Sequence, residues 1–219
     1  MNPIMVFMKK EQKDKLDRYR ILNETARKGQ ILFTGSSLME QFPIHELLMD
    51  EEMDCLIYNR GIGGFTTEDM LENMQEQIYG TEPSKIFINI GTNDMGKPDY
   101  KLEKLMDNYK KILEQIKEHL PETEIYMMAY YPVNEVDKKA VLPDEEWANH
   151  MFDNRNNSNI RLANQAVKQL AEKMGCRYID ANEGLYDESG RLKKEFTLEG
   201  VHMYANGYRV VLSNLKKYL

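Results

Sequence analysis

Five short apolar runs constrain this chain more than any other feature: QILFTG (30–35), DCLIYNR (54–60), KIFINIG (85–91), EIYMMAY (124–130) and CRYID (176–180). None alternates apolar with polar residues as a half-solvated sheet requires, so each reads as a strand covered on both faces. Helical patterns lie between them over 67–79, 100–119 and 158–173, and two more flank the set over 9–27 and 206–218. Strands that alternate with helices are joined by crossovers, which predicts an α/β fold with a parallel sheet between helical layers. Pro83 and Pro121 each stop a helix shortly before a strand, because proline has no backbone N–H with which to continue it. Gly175 suits a left-handed C-cap.

A length of 219 residues is enough for one substantial core. A single domain over 1–219 is expected, with residues 1–28 as an N-terminal helical extension packed on it. The net charge of −7, with no basic stripe, argues against a nucleic-acid partner. The first twenty residues carry their apolar run before the charges, with no small-residue cleavage site after it, unlike a signal peptide. No stretch approaches the roughly 18 apolar residues of a membrane span, so a cytoplasmic protein with no span is expected. Cys55 and Cys176 lack metal-ligand spacing and read as buried free thiols within strands. Apolar residues in the first dozen positions are candidates for packing on a second copy, which makes a homodimer an open expectation. The one long irregular stretch, Pro132 to Asn157, exceeds ordinary connections and is a candidate lid or pocket wall.

Open parallel sheets bind ligands beyond the carboxyl ends of their strands. There the sequence puts Gly35-Ser36-Ser37, then Asn59-Arg60-Gly61-Ile62-Gly63-Gly64, then Gly91-Thr92-Asn93-Asp94. If the first strand lies between the second and third, these loops meet. A serine at a strand-to-helix turn exposes its hydroxyl and sets its N–H at a helix N-terminus, Gly64 lets its N–H approach a ligand, and Asn93 offers an amide. Ser37, Gly64 and Asn93 could thus supply three donors to a developing oxyanion. For a base, His45 and His119 lie at a helix start and a helix end, and His150 in the long loop. His202 stands in TLEGVHMYANGY before the last helix, with Glu199 three residues ahead and able to orient it in a tight turn. Each feature alone has a plainer reading: Ser-Ser as a helix cap, GIGG as a turn, GTND as an Asx turn, His202 as a surface or core residue. Their joint placement in successive post-strand loops favours chemistry. A flavodoxin-like phosphate-binding module is the competing class, but no Gly-rich cradle with lysine is present.

These blocks resemble the SGNH hydrolases, also called GDSL-type esterases and lipases. FTGSSLME is similar to the first family block, FxGDSxT, and NRGIGGFTT to the second, in the style of platelet-activating-factor acetylhydrolases. INIGTND resembles the third block, GxND, and LEGVHMYANGY the fifth, DxxHxxxxGY. The resemblance implies a three-layer α/β/α flavodoxin-like sandwich whose five-stranded parallel sheet runs in the order 2-1-3-4-5. It implies a serine esterase that cleaves a small O-acyl ester, acetyl or short-chain, through an acyl-enzyme. Ser37 would be the nucleophile, His202 the base, and Ser37, Gly64 and Asn93 the oxyanion donors. No cofactor or metal is implied, and the partner is a small acylated substrate, a sugar ester or a short-chain lipid ester. Two positions depart from the pattern. Ser36 replaces the aspartate before the nucleophile and is expected to brace the turn. Glu199 stands where the triad aspartate belongs; it is expected to orient His202, with Asp180 and Asp187 as alternatives. That change also allows a catalytically impaired relative acting as a binding or interaction protein. Tyr131, Trp147 and Phe152 are expected to line the substrate pocket, and Arg155-Asn156-Asn157 to contact substrate or cap the next helix.

Overall fold

The computed structural model describes residues 3–135 and 150–219. Its sheet comprises β1 (Ile31–Gly35), β2 (Ile57–Asn59), β3 (Lys85–Asn89), β4 (Glu124–Met128) and β5 (Arg177–Ile179). All pairs are parallel and the order is β2-β1-β3-β4-β5. The carboxyl ends of β1, β2 and β3 therefore lie side by side, as the meeting of the three loops requires.

Around the sheet run α1 (Pro3–Glu24), α2 (Ser37–Glu40), α3 (Ile44–Asp50), α4 (Thr67–Glu72), α5 (Met74–Gln77), α6 (Thr92–Met95), α7 (Leu102–His119), α8 (Asn157–Met174) and α9 (Ala205–Leu215). Successive strand residues point to opposite faces, and both faces are apolar. Leu32, Ile86, Ile88 and Met127 join one core with Leu105, Ile112 and Ile116 of α7 and Ile160 and Val167 of α8. Phe33, Phe87, Tyr126 and Met128 join a second core with Leu47 and Leu48 of α3 and Val211 and Leu212 of α9. Burying each such side chain stabilises the fold by roughly 1.5–3 kcal/mol, which is why the strands carry no polar face.

Several boundaries differ from the sequence expectation. The helix expected over 67–79 breaks at Asn73 (φ −131°, ψ 32°), whose Nδ2 donates to the Asp69 carbonyl at 2.7 Å. The side chain thus takes the acceptor that the next helical N–H would use; α5 and a 3-10 turn over Tyr79–Thr81 follow. The first helix begins at Pro3 and ends at Glu24, earlier at both ends than the expected 9–27. Cys55 and Cys176 are free but half-buried, and each precedes its strand instead of lying in it, a correction to the buried reading. No described helix is long and apolar enough to cross a membrane. Gly175 does close α8 in the left-handed region, at φ 62°.

Candidate active site

β1 ends at Gly35, at φ 150°, where a Cβ would collide with the Asn89 carbonyl of β3. The chain then turns directly into α2. The Ser36 carbonyl accepts from the Met39 and Glu40 N–H groups at 3.1 and 2.9 Å, which leaves Ser37 as the first helical residue. The Ser36 hydroxyl makes no cap and has no partner among the described residues, so it does not brace the turn as expected. Its backbone does that work, and the buried side chain merely fits the space.

His202 is set by a tight turn before α9. Thr197 pairs with Met203, the Leu198 N–H and the Thr197 hydroxyl both donate to the His202 carbonyl (3.0 and 2.9 Å), and the Gly200 N–H donates to Thr197 Oγ1. Gly200 is left-handed at φ 98°, and a side chain there would strike the Asn134 carbonyl. The turn brings Glu199 back under the ring. Glu199 Oε1 lies 2.5 Å from His202 Nδ1 and also accepts the His202 backbone N–H at 3.0 Å. On the other side of the ring, Nε2 lies 2.8 Å from Ser37 Oγ. A carboxylate only accepts, which assigns the proton to Nδ1 and leaves Nε2 to accept from the serine. Burial pushes the Glu199 carboxyl up, but the His202 ring hydrogen bond, its charge and the backbone bond together hold it below 4.5. The alternatives are occupied elsewhere: Asp180 accepts from the Asn182 N–H, and Asp187 from Ser189 and Arg191.

Two further loops carry the remaining candidate donors, and the first of them approaches Ser37. Gly64 is left-handed at φ 78°, and a Cβ on its neighbour Gly63 would lie 3.8 Å from the Ser37 Cβ. Neither the Gly64 N–H nor the Ser37 N–H has a partner among the described residues. Asn93 opens α6. Its Nδ2 donates to the Phe65 carbonyl at 3.0 Å, and its Oδ1 accepts from Arg155 Nη2 at 3.2 Å. A carbonyl only accepts and a guanidinium only donates, so these two partners fix which way the amide faces and leave Nδ2 one N–H to give. Arg155 is anchored by a second bond, from Nε to the Thr92 carbonyl at 2.9 Å. Burial pushes its guanidinium down, while the charge of Glu199 opposes that shift. Asp94, next along, accepts from the Thr67 N–H (3.0 Å) and hydroxyl (2.5 Å) and so ties α6 to the start of α4. Burial pushes this carboxyl up against those bonds.

The expected pocket residues fall differently. Tyr131 (2% exposed) and Phe152 (7%) are packed into the two cores and do not face open space. Their apolar neighbours offer more contact than a solvent-facing wall would. Trp147 lies outside the described residues. Of the 155–157 segment, Asn156 caps α8 by accepting from the Asn159 N–H, Asn157 bonds the Val133 backbone, and Arg155 reaches Asn93. The other histidines are remote from this cluster: His45 bonds the Ile57 carbonyl, His119 stacks on Tyr79, and His150 pairs with Asp153. Among the described residues, no group of three or more His, Cys, Asp or Glu side chains is placed to hold a metal ion.

Comparison with known proteins agrees with this fold. A Streptococcus pneumonia structure provisionally described as a platelet activating factor is 33% identical, with a TM-score of 0.85 over 98% of this chain and 95% of that one. A catalytic mutant of an acetylxylan esterase from Geobacillus stearothermophilus shares the fold at 16% identity, with a TM-score of 0.62 over 87% and 94% of the two chains. An N-acylneuraminate cytidylyltransferase from Escherichia coli O18:K1:H7 (strain RS218 / NMEC) is 24% identical over 94% of this chain, which spans 46% of that longer protein. The family model described as GDSL-like Lipase/Acylhydrolase matches residues 46–210, which include Gly64, Asn93, Glu199 and His202. By fold, by site geometry and by that match, the chain belongs to the GDSL-like lipase/acylhydrolase family.

Proposed function

We propose that the protein is a serine esterase that removes a small O-acyl group, acetyl or short-chain, from a sugar or a short lipid. The observation that carries this reading is the unbroken relay from Ser37 Oγ through His202 to Glu199, at 2.8 and 2.5 Å. The Ser37 oxygen attacks the ester carbonyl carbon as its proton passes to His202 Nε2. The tetrahedral oxyanion accepts from the Ser37 and Gly64 N–H groups and from Asn93 Nδ2; one such donor is worth about 3–4 kcal/mol in the transition state. The ester C–O bond then breaks, and the departing alcohol takes the proton from His202. Water attacks the acyl-serine with its proton going to His202, the carboxylic acid leaves, and Ser37 regains its hydrogen. Glu199 stays ionised throughout, holding the Nδ1 proton and stabilising the transient imidazolium. The low carboxyl pKa supports that role.

Residues 1–219 are read as one domain that includes α1, since Leu16 and Tyr19 of that helix pack on the main core. The substrate class is tested first with acetylated xylan, the kind of ester named for one structural neighbour, and with acetyl to octanoyl nitrophenyl and glyceryl esters. Ser37→Ala should lower nitrophenyl acetate turnover by roughly 10⁴-fold or more in a folded protein and abolish covalent labelling by a fluorophosphonate. Ser36→Ala should be far milder. Wild-type protein that neither turns over esters nor takes the label would overturn the esterase reading in favour of a binding protein.

A further inference from the structure

We propose that Gln12, on the N-terminal helix, is a positioning residue that fixes the rotation of the Gly63–Gly64 peptide and so aims the Gly64 N–H at the oxyanion. This rests on the esterase reading above and assigns part of its machinery to a helix that carries none of the family blocks.

In sequence, EQKDKLDRYR over 11–20 is almost wholly polar and does not mark which side of the packed helix faces the domain. Yet Gln12, Lys15, Leu16 and Tyr19, at helical spacing i, i+3, i+4 and i+7, share one face. That face meets the glycine loop in three places. The Tyr19 hydroxyl donates to the Gly61 carbonyl at 2.7 Å. Gln12 Nε2 donates to the Gly63 carbonyl at 2.8 Å. Lys15 Nζ lies 2.5 Å from Glu40 Oε1, and Glu40 Oε2 accepts the Gly63 N–H at 2.5 Å. Burial, and then the charge of Glu40, push the Tyr19 phenol up to about 12, so it remains a donor well above neutral pH.

The Gln12 bond matters because of what lies across the same peptide. The Gly63 C=O and the Gly64 N–H belong to one planar trans unit and point in opposite directions. A donor fixed on the oxygen therefore fixes the heading of the N–H. Without it the unit has little to resist rotation, because glycine flanks it on both sides and either rotation is sterically open to glycine. A rotated peptide would turn its carbonyl toward Ser37 and set an acceptor against the developing negative charge. Gly63 is held at its own N–H by Glu40, so the unit before is pinned and the hinge is confined to the peptide that Gln12 touches. The Gly64 N–H, with no partner among the described residues, is the group left free to donate.

The test compares Gln12→Met, similar in length but without a donor, with Gln12→Lys, which keeps one. Gln12→Met should lower kcat for an acetyl ester about 5- to 10-fold, the loss of one neutral hydrogen bond. KM should stay within about twofold, because the effect is confined to the transition state. Affinity for a boronic acid that forms a tetrahedral serine adduct should fall in parallel. Gln12→Lys should recover most of both, and Tm should barely move in either variant. Crystals of Gln12→Met should show the Gly63–Gly64 peptide rotated or in two rotations. Wild-type kcat with an unmoved peptide, or a loss that follows Tm and is not rescued by lysine, would overturn the proposal. The esterase reading fails on a different observation, an unlabelled and inactive wild type, while the peptide rotation in Gln12→Met still decides whether Gln12 is a lock.

Discussion

Two planar amides, the Asn93 side chain and the Gly63–Gly64 peptide, are held by the same device. In each, a donor on the oxygen dictates where the N–H points: Arg155 Nη2 on Asn93 Oδ1 at 3.2 Å, and Gln12 Nε2 on the Gly63 carbonyl at 2.8 Å. The inner amide is a side chain gripped at both ends, with the Phe65 carbonyl on its nitrogen and a cation on its oxygen. The outer one is a piece of backbone gripped by a neutral side chain from α1. A shorter bond is not the stronger lock here, because both bonds are part-buried and a charged donor contributes more than a neutral one. The difference teaches that the site has one rigid wall and one that depends on how a peripheral helix is docked.

Removing the inner amide altogether should have the largest effect. Asn93→Ala should lower kcat by about 10²–10³-fold with little change in KM, measured on nitrophenyl acetate; a smaller loss than that of Gln12→Met would reverse the ranking of the two walls. Arg155→Met comes next. It leaves Asn93 present but held by the Phe65 carbonyl alone, so a loss of about 10- to 100-fold is expected, and Arg155→Lys should recover part of it. In the double variant Gln12→Met with Arg155→Met, the two losses should multiply to within about twofold if the amides turn independently, although Phe65, whose carbonyl holds Asn93, adjoins Gly64. A strong departure would mean that the two amides move as one.

The smallest effect is on stability against acid. Glu199 is held below its ordinary value, so between the two values the unfolded chain binds more protons and stability rises with pH. That contribution is complete above about 4.5 and is lost as pH falls through the lower folded value. Glu199→Gln should flatten this acid limb in a series of Tm measurements. Gln12→Met, which alters only the outer wall, should keep the wild-type slope.

What the sequence made legible follows how local each cause is. The five apolar runs announce burial on both faces because neighbouring residues within a strand meet opposite cores, as Leu32 and Phe33 do. The contact of Glu199 with His202 was legible because three residues and a left-handed Gly200 close it within one turn. Arg155 and Gln12 were illegible in their positioning parts, since their acceptors include backbone carbonyls, which no residue code distinguishes, and lie far away along the chain. Gln12 also sits in a polar run where solvation is the default. The break at Asn73 was missed for a related reason: a side chain competed with the backbone for a single carbonyl. Tyr131, just past β4, and Phe152, in the long loop, were expected to line a pocket but are buried in the cores, where a large aromatic gains more contact than at a rim.

Gly96, which closes α6, has an ordinary φ of −76° and would accept any residue on backbone grounds. Its lack of a side chain matters for another reason: a Cβ there would occupy the space of the Arg155 guanidinium. Arg155 is long and mobile enough to withdraw, so Gly96→Ala should cost little stability while releasing Asn93. The space left open at Gly96 and the guanidinium that fills it thus form a single packing unit. In a lineage where one changes, the other loses its reason to persist, and their joint presence or joint loss among relatives is the trace that this constraint would leave.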